Sequence, residues 1–371
     1  MMEKVMKMKR LTRPIIILLS FLLLLTGCRR SPASEYERYS RSFLGTFDTI
    51  IQFVAYAKSE EEFETYYQLL ESRFQELHQL YDIYHEYEGI NNIKTINDNA
   101  GRKPVPAAQE IIDLLLFAKD WHQRTGGRTN IAMGPVLKIW HDYRTEGIKD
   151  PDKAQLPPPE ELRQAARYTD LDQVIVDPEE GTVYLAEEGM SLDVGAIAKG
   201  YAVELVVQEV VAAGLEAGII SAGGNVRTIG KPLDGQRERW SIGIQDPIAS
   251  LHGNSDYFDT LFVTDAAIVS SGDYQRYYTV DGEIYHHIID PDTLMPAKYY
   301  KGVTIVAPDS GLADFLSTTA FLLPYPESRG LIDSLPGVEA LWVMADGSVK
   351  VTEGMEKMLA SHGATAHDSS E

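Results

Sequence analysis

Apolar and polar residues alternate from Phe43 to Ala57, the period of a half-buried strand, with Leu44-Gly45-Thr46 inside it. The period then changes. Phe63, Tyr67, Leu70, Phe74, Leu77 and Tyr81 recur at helical spacing, which predicts a helix over 59–85 with Ser59 as its cap and acidic residues 60–62 in its first turn. An Asn- and Gly-rich loop follows over 86–106, then a helix over 107–125 stopped by Gly126-Gly127. Pro135 opens a helix containing Trp140, and residues 149–160 form a proline-rich insertion before a short helix. Val174–Val176 and Thr182–Leu185 form a hairpin around Glu180-Gly181. Further strands are expected at 217–221, 240–245, 257–263, 267–270, 277–280, 284–289 and 302–307, with a closing hairpin of 341–344 and 348–351. Helices are expected at 196–213 and from Asp309 or Ser310 onward. Strands and helices in this order predict an α+β fold with antiparallel sheets and packed helices.

Three stretches break these patterns with residues that carry chemistry. In Ser191-Leu-Asp-Val-Gly-Ala-Ile-Ala-Lys-Gly200, Ser191 or Asp193 can cap the following helix and Gly195 allows close backbone approach. Lys199 then lies one to two turns in; the segment is either an anion site or a plain capped helix with a solvated lysine. Two histidines and an aspartate crowd His286-His-Ile-Ile-Asp290, where strand alternation puts His287 and Ile289 on one face. Asp314 and Thr318, four apart on an otherwise apolar helix, can ligate a hard cation together; alternatively Thr318 bonds back to the Asp314 carbonyl. An unpaired carboxylate is costly to bury on such a helix, which favours the ligand reading.

Charge and the N-terminus narrow the setting. The chain has 371 residues, a net charge of -21 and no basic block in its body, which argues against a nucleic-acid partner. Lys4, Lys7, Lys9, Arg10 and Arg13 precede an apolar run from Ile15 to Leu25 that is too short to span a bilayer. Leu25-Thr26-Gly27-Cys28 resembles a bacterial lipobox, so residues 1–27 are expected to be a lipoprotein signal peptide and Cys28 a lipidated N-terminus. Cys28 is also the single cysteine, which excludes an intramolecular disulfide. Residues 28–41 are then a polar tether, 42–358 the catalytic domain and 359–371 a disordered acidic tail.

Seven segments in order resemble the FAD:protein FMN transferase (ApbE) family: Leu44-Gly-Thr46, Thr129-Asn-Ile-Ala-Met-Gly-Pro135, Asp193-Val-Gly-Ala-Ile-Ala-Lys-Gly-Tyr201, Ser221-Ala-Gly-Gly-Asn225, Ser271-Gly-Asp-Tyr274, His287-Ile-Ile-Asp-Pro291 and Ala313-Asp-Phe-Leu-Ser-Thr318. The resemblance implies a Mg²⁺-dependent enzyme that cleaves FAD, attaches FMN to a threonine of a flavoprotein and releases AMP. Its acceptors would be membrane redox complexes or extracytoplasmic FMN-binding domains, met by an enzyme tethered to the outer face of the cell membrane. The rivals are an FAD pyrophosphatase and a flavin-binding lipoprotein without chemistry.

Carried onto this chain, the family's pattern implies a Mg²⁺ site of the Ala196 carbonyl, Asp314 and Thr318, and makes His287 the base for the acceptor hydroxyl. It implies FAD contacts from Leu44, Arg128, Thr129, Asn130, Asp193, Lys199, Ile288 and Ser317, with either Tyr84 or Tyr87 stacked on the flavin. The chain departs from the pattern at Leu44, Asn130 and Leu294.

Overall fold

The computed structural model describes residues 35–367 except 252 and 255, so Cys28 and the expected signal peptide lie outside the described residues. The first strand expected from the sequence is two. β1 (Glu37–Thr46) and β2 (Thr49–Ala57) form a hairpin, turned by Phe47 and Asp48 with φ of 52° and 51°. Both turn residues are left-handed, as a tight hairpin requires, but Phe-Asp carries none of the Asn-Gly signal that announces one. Because β1 starts at Glu37, part of the expected tether is strand.

Helix α1 (Glu60–Tyr81) is capped by the Ser59 hydroxyl accepting from Glu62 N–H and ends at Tyr81, four residues before the expected end. The expected loop 86–106 contains a short helix, α2 (Ile93–Asp98), closed by a reciprocal Asn92–Thr95 capping box, and a short strand β3 (Val105–Pro106). Then follow α3 (Gln109–Arg124), α4 (Gly134–Lys149), α5 (Pro159–Ala165), the hairpin β4 (Val174–Asp177) and β5 (Thr182–Leu185), and α6 (Ala198–Ala212). Strand β6 (Gly218–Ala222) turns through Gly223-Gly224 into β7 (Asn225–Ile229), which the sequence left unread. Next come β8 (Trp240–Gln245), α7 (Pro247–Leu251), β9 (Tyr257–Val263), β10 (Ala267–Gly272), and the hairpin β11 (Tyr277–Val280) and β12 (Glu283–His286). The chain closes with β13 (Tyr300–Ala307), α8 (Ser310–Leu322), α9 (Tyr325–Asp333), β14 (Glu339–Met344), β15 (Val349–Val351) and α10 (Glu353–Glu356).

Eight strands form one antiparallel sheet in the order β1-β2-β6-β7-β10-β13-β14-β15. One face packs on α1, α6 and α8 through Ile51, Phe53, Ile220, Val269 and Ile305. The other is covered by the β8–β9 hairpin, with Trp240, Ile242 and Leu261 against Ile268 and Leu341. Alternating burial in the strands therefore serves two cores, and the fold is α+β as expected. Residues 359–367, expected as disordered tail, lie along β8 and β9: buried Leu359 bridges to Leu261, and the Ala366 carbonyl accepts from Glu238 and Arg239 N–H.

Helices α6 and α8 cross where Gly200 leaves no side chain between them. A Cβ there would meet the Ser310 carbonyl oxygen at 2.3 Å and Asp314 Cβ at 2.4 Å, so the backbones would have to separate. Gly200→Ala is expected to cost about 1–3 kcal/mol by overpacking, despite alanine's better helix propensity. A thermal melt at or above the wild-type midpoint would contradict this close approach.

Candidate active site

The ends of the sheet and the helix starts above them enclose a cleft of about 670 Å³, within the range of small-molecule sites. Its floor is the 191–200 segment, which is pinned from below. Asp193 N–H donates to the Ile131 carbonyl at 2.8 Å, and the Asn97 side chain bonds both backbone groups of Leu192. The Asp193 side chain folds back to accept from Gly195 N–H at 2.9 Å. Burial pushes the Asp193 carboxyl above its ordinary pKa, against the pull of the Gly195 N–H and of Arg276, His141 and Arg144.

Asp314 enters from α8 and is buried. Gly200 N–H, which would otherwise close the first turn of α6 on the Ala196 carbonyl, donates instead to Asp314 Oδ2 at 2.8 Å. Among the described residues the Ala196 carbonyl is therefore left without a donor. Burial also raises the Asp314 pKa, opposed by Lys199, the Gly200 N–H and Asn225. The Asn225 amide nitrogen is buried beside this carboxylate, outside regular hydrogen-bond geometry but near enough to favour its charged form. Ala196, Lys199, Asn225, Asp314 and Thr318 all line the cleft. The Asp314 carbonyl accepts from the Ser317 hydroxyl at 2.9 Å, so it is Ser317 that bonds back there.

The two histidines of the 286–290 stretch have separate fates. His286 is a satisfied core group, Nε2 donating to the Ala297 carbonyl at 2.7 Å and Nδ1 accepting from Ile288 N–H at 3.2 Å. Asp290 is also buried and organises the next turn by accepting from Asp292 and Thr293 N–H. His287 lines the cleft; its Nδ1 is buried without a partner, and Nε2 is the nitrogen open to the cavity. Burial, then His286, Arg276, Arg144 and Lys199, push its pKa down to about 3.

Of the expected flavin contacts, Tyr84, Arg128, Thr129, Asn130, Asp193, Lys199 and Ile288 line the cleft. Asp82 holds the two tyrosines differently: it accepts from Tyr87 O–H at 2.8 Å and from Tyr84 N–H at 2.6 Å. Tyr87 is thereby held in the loop, while Tyr84 is left half-exposed over the cavity against His141, ring centroids 5.6 Å apart. Three expected contacts do not line it. Leu44 stands 73% exposed on the sheet's outer rim, opposite Ile50. Ser317 is fully buried and ties α8 to Ser271 at 2.8 Å, and Tyr87 is engaged as described. Within the cleft, Thr129 bonds Thr319 at 2.7 Å, Asn130 caps Ala132 N–H, and Arg128 pairs with Asp292.

Sequence reasoning assigned no role to His141, Arg144, Asn225 or Arg276, all of which face the cavity. Asn225 ends one recognised motif and Arg276 lies two residues past another, whereas His141 and Arg144 look like an ordinary solvated face of α4 until β11 packs beside that helix.

The fold and the site define an α+β protein whose cleft sets cationic side chains beside a buried carboxylate. Comparison gives the family: the ApbE family model matches residues 47–342, and the chain belongs to that family. It is 35% identical over 276 residues to the FAD:protein FMN transferase of Treponema pallidum, covering 71% of this chain and 73% of that one. A second FAD:protein FMN transferase, from Klebsiella pneumoniae, is 30% identical over 254 residues, covering 68% and 75%. The crystal structure of the ApbE protein from Thermotoga maritima superposes with a TM-score of 0.75 at 28% identity, covering 87% of this chain and 99% of that one.

Proposed function

We propose that this chain is an FAD:protein FMN transferase that moves FMN from FAD to a threonine hydroxyl of an acceptor flavoprotein. The observation that carries the reading is the meeting, in one cleft, of the buried Asp314 carboxylate, the Ala196 carbonyl and Thr318 with His287 and with Lys199, which has no ion pair among the described residues. In the reaction the threonine oxygen forms a bond to the flavin-side phosphorus while the phosphoanhydride bond breaks. The hydroxyl proton passes to His287 Nε2, and AMP leaves with the anhydride electrons.

Asp314, Thr318 and the Ala196 carbonyl form an oxygen-only donor set that fits Mg²⁺. Among the described residues no group of three His, Cys, Asp or Glu makes a self-sufficient metal site, which suits an ion whose remaining ligands come from substrate phosphates and water. When bound, such an ion supplies charge neutralisation on the pyrophosphate. The protein's own groups do the rest. Lys199 and the 193–198 backbone draw the phosphates to the cleft floor, Tyr84 offers a ring for the flavin, and His287, held neutral, accepts the proton. Attachment through a lipidated Cys28 would place this chemistry on the extracytoplasmic face, next to membrane redox complexes or FMN-binding domains as acceptors.

The deciding measurement is AMP release by the full-length protein from FAD and Mg²⁺, with and without a threonine-bearing acceptor domain, followed by intact mass of the acceptor. An acceptor-dependent FMN adduct is expected. AMP and FMN formed equally without acceptor would make the chain a pyrophosphatase, and bound FAD with neither product would leave it a binding protein.

A further inference from the structure

Arg144 on α4 and Arg276, just before β11, face the cleft from one side. Neither forms an ion pair with a carboxylate among the described residues, and Arg276 makes no hydrogen bond there. The Arg144 guanidinium touches His141 Nδ1 at 3.2 Å. After burial, Arg276 is the strongest influence depressing the pKa of Arg144, so the two guanidiniums stand close enough to repel. Asp193, the carboxylate that feels both, is shared with His141 and spends a carboxylate oxygen on Gly195 N–H. Half-buried Arg144 and exposed Arg276, like charges with open donors, repel each other alone and become favourable neighbours around a doubly charged tetrahedral anion, which offers oxygens to both forks.

Position decides which phosphate that is. Lys199 lines the same cleft as Asp314 and His287, and its charge acts on both. Arg276 and Arg144 bear on His287 but not on Asp314. Arg144 bonds His141, whose ring centroid stands 5.6 Å from that of Tyr84, so the pair sits beside the ring offered to the flavin and on the side of the proton acceptor, where the attacked phosphorus must sit. We propose that Arg144 and Arg276 form a clamp for the flavin-side phosphate, the group that is transferred, and do not hold the adenylate. The inference rests on the transferase reading for the word transferred; the clamp's preference for a flavin phosphate can be measured without any turnover.

The test is equilibrium binding of FMN, riboflavin and AMP to full-length wild type, Arg276→Ala, Arg144→Ala and Arg276→Lys, read by flavin fluorescence and, for AMP, by calorimetry. Wild type should bind FMN more tightly than riboflavin. Each alanine variant should weaken FMN about tenfold, the scale of one lost charge-assisted contact, and leave riboflavin and AMP within about twofold. Unchanged riboflavin binding serves as the folding control, and Arg276→Lys should recover part of the FMN preference. In turnover, Arg276→Ala should also move the acidic limb of kcat, the limb that bound phosphate brings out, to higher pH, because it removes a charge that faces His287 together with His286, Arg144 and Lys199; Arg276→Lys should leave the limb in place. An unchanged FMN-to-riboflavin ratio in both alanine variants, or an equal loss of AMP binding, overturns the clamp. If wild type releases no AMP from FAD, the transferase reading fails, while the binding ratios still decide on the clamp.

Discussion

Asp314→Asn should end flavin transfer and yet raise the melting temperature of the metal-free protein. The carboxylate is 5% exposed and receives a hydrogen bond from Gly200 N–H at 2.8 Å. Asparagine has the same shape, and its Oδ1 can keep that bond, so α6 and α8 need not move. What is lost is the negative charge the proposed Mg²⁺ site depends on. Removing one preorganised electrostatic group costs on the order of 10²–10³-fold in turnover, and a first ligand to the ion belongs at the upper end. What is gained is relief from burying an ionised group with little compensation. The sign follows from the raised pKa: the folded state holds the Asp314 proton more tightly than the unfolded chain, so ionisation works against folding above the folded-state pKa. The advantage of asparagine should be largest near pH 8 and should vanish below the ordinary carboxylate range. Scanning calorimetry across pH, with and without Mg²⁺, checks both halves. Mg²⁺ should stabilise wild type and leave the variant unmoved. Wild-type turnover in Asp314→Asn would remove this residue from the machinery, and a lower midpoint at every pH would deny the stored cost.

The large elements were legible because their periodicity reports a face that packs. Helix α1 shows six apolar residues on one stripe, and all six are buried under the sheet. Elements set by a few backbone dihedrals were not legible: the Phe47-Asp48 turn carries no glycine, and β7 follows a Gly-Gly turn that reads equally as a loop. Helix α2 is six residues held by a capping box inside a polar stretch. In the site, residues that resemble a family motif fell into the cleft where their backbone lines it, as with 193–199 and 128–130. Ser317 failed that test for a geometric reason: three positions on from Asp314 on α8, its hydroxyl turns to Ser271 and to the helix backbone. The charges missed on α4 failed for the opposite reason. His141 and Arg144 become cavity residues only when the β11–β12 hairpin lies across that helix, a contact between segments more than a hundred residues apart that no local pattern encodes.

His287→Ala is expected to lower the transfer rate about 10²–10⁴-fold, the usual worth of a positioned general base, with FAD binding close to wild type. His287→Gln should be no better, since an amide cannot take the proton. In the ligand-free protein the ring is held neutral, because burial and the neighbouring His286, Arg276, Arg144 and Lys199 push its pKa down to about 3; the negative charge of bound phosphate must raise it for Nε2 to take the proton effectively. An ordinary histidine base would begin to lose activity near its unperturbed value of about 6.5; this one should carry no acidic limb there, unless a ligand's charge raises its pKa in the complex. That exception is informative, because bound phosphate would appear as a limb in kcat that is absent from kcat/KM. The same depression has a stability consequence of fixed sign. Below the unfolded-state value the unfolded chain binds a proton that folded His287 refuses, so stability is fully present above that value and lost progressively as pH falls toward about 3. His286, pushed down to about 4, adds to the loss in the same window. His287→Gln should flatten the acid side of the melting curve while removing catalysis, a pairing that a merely structural histidine would not give. A variant that keeps wild-type transfer, or whose acid stability falls as steeply as wild type, would assign the proton to another group in the cleft.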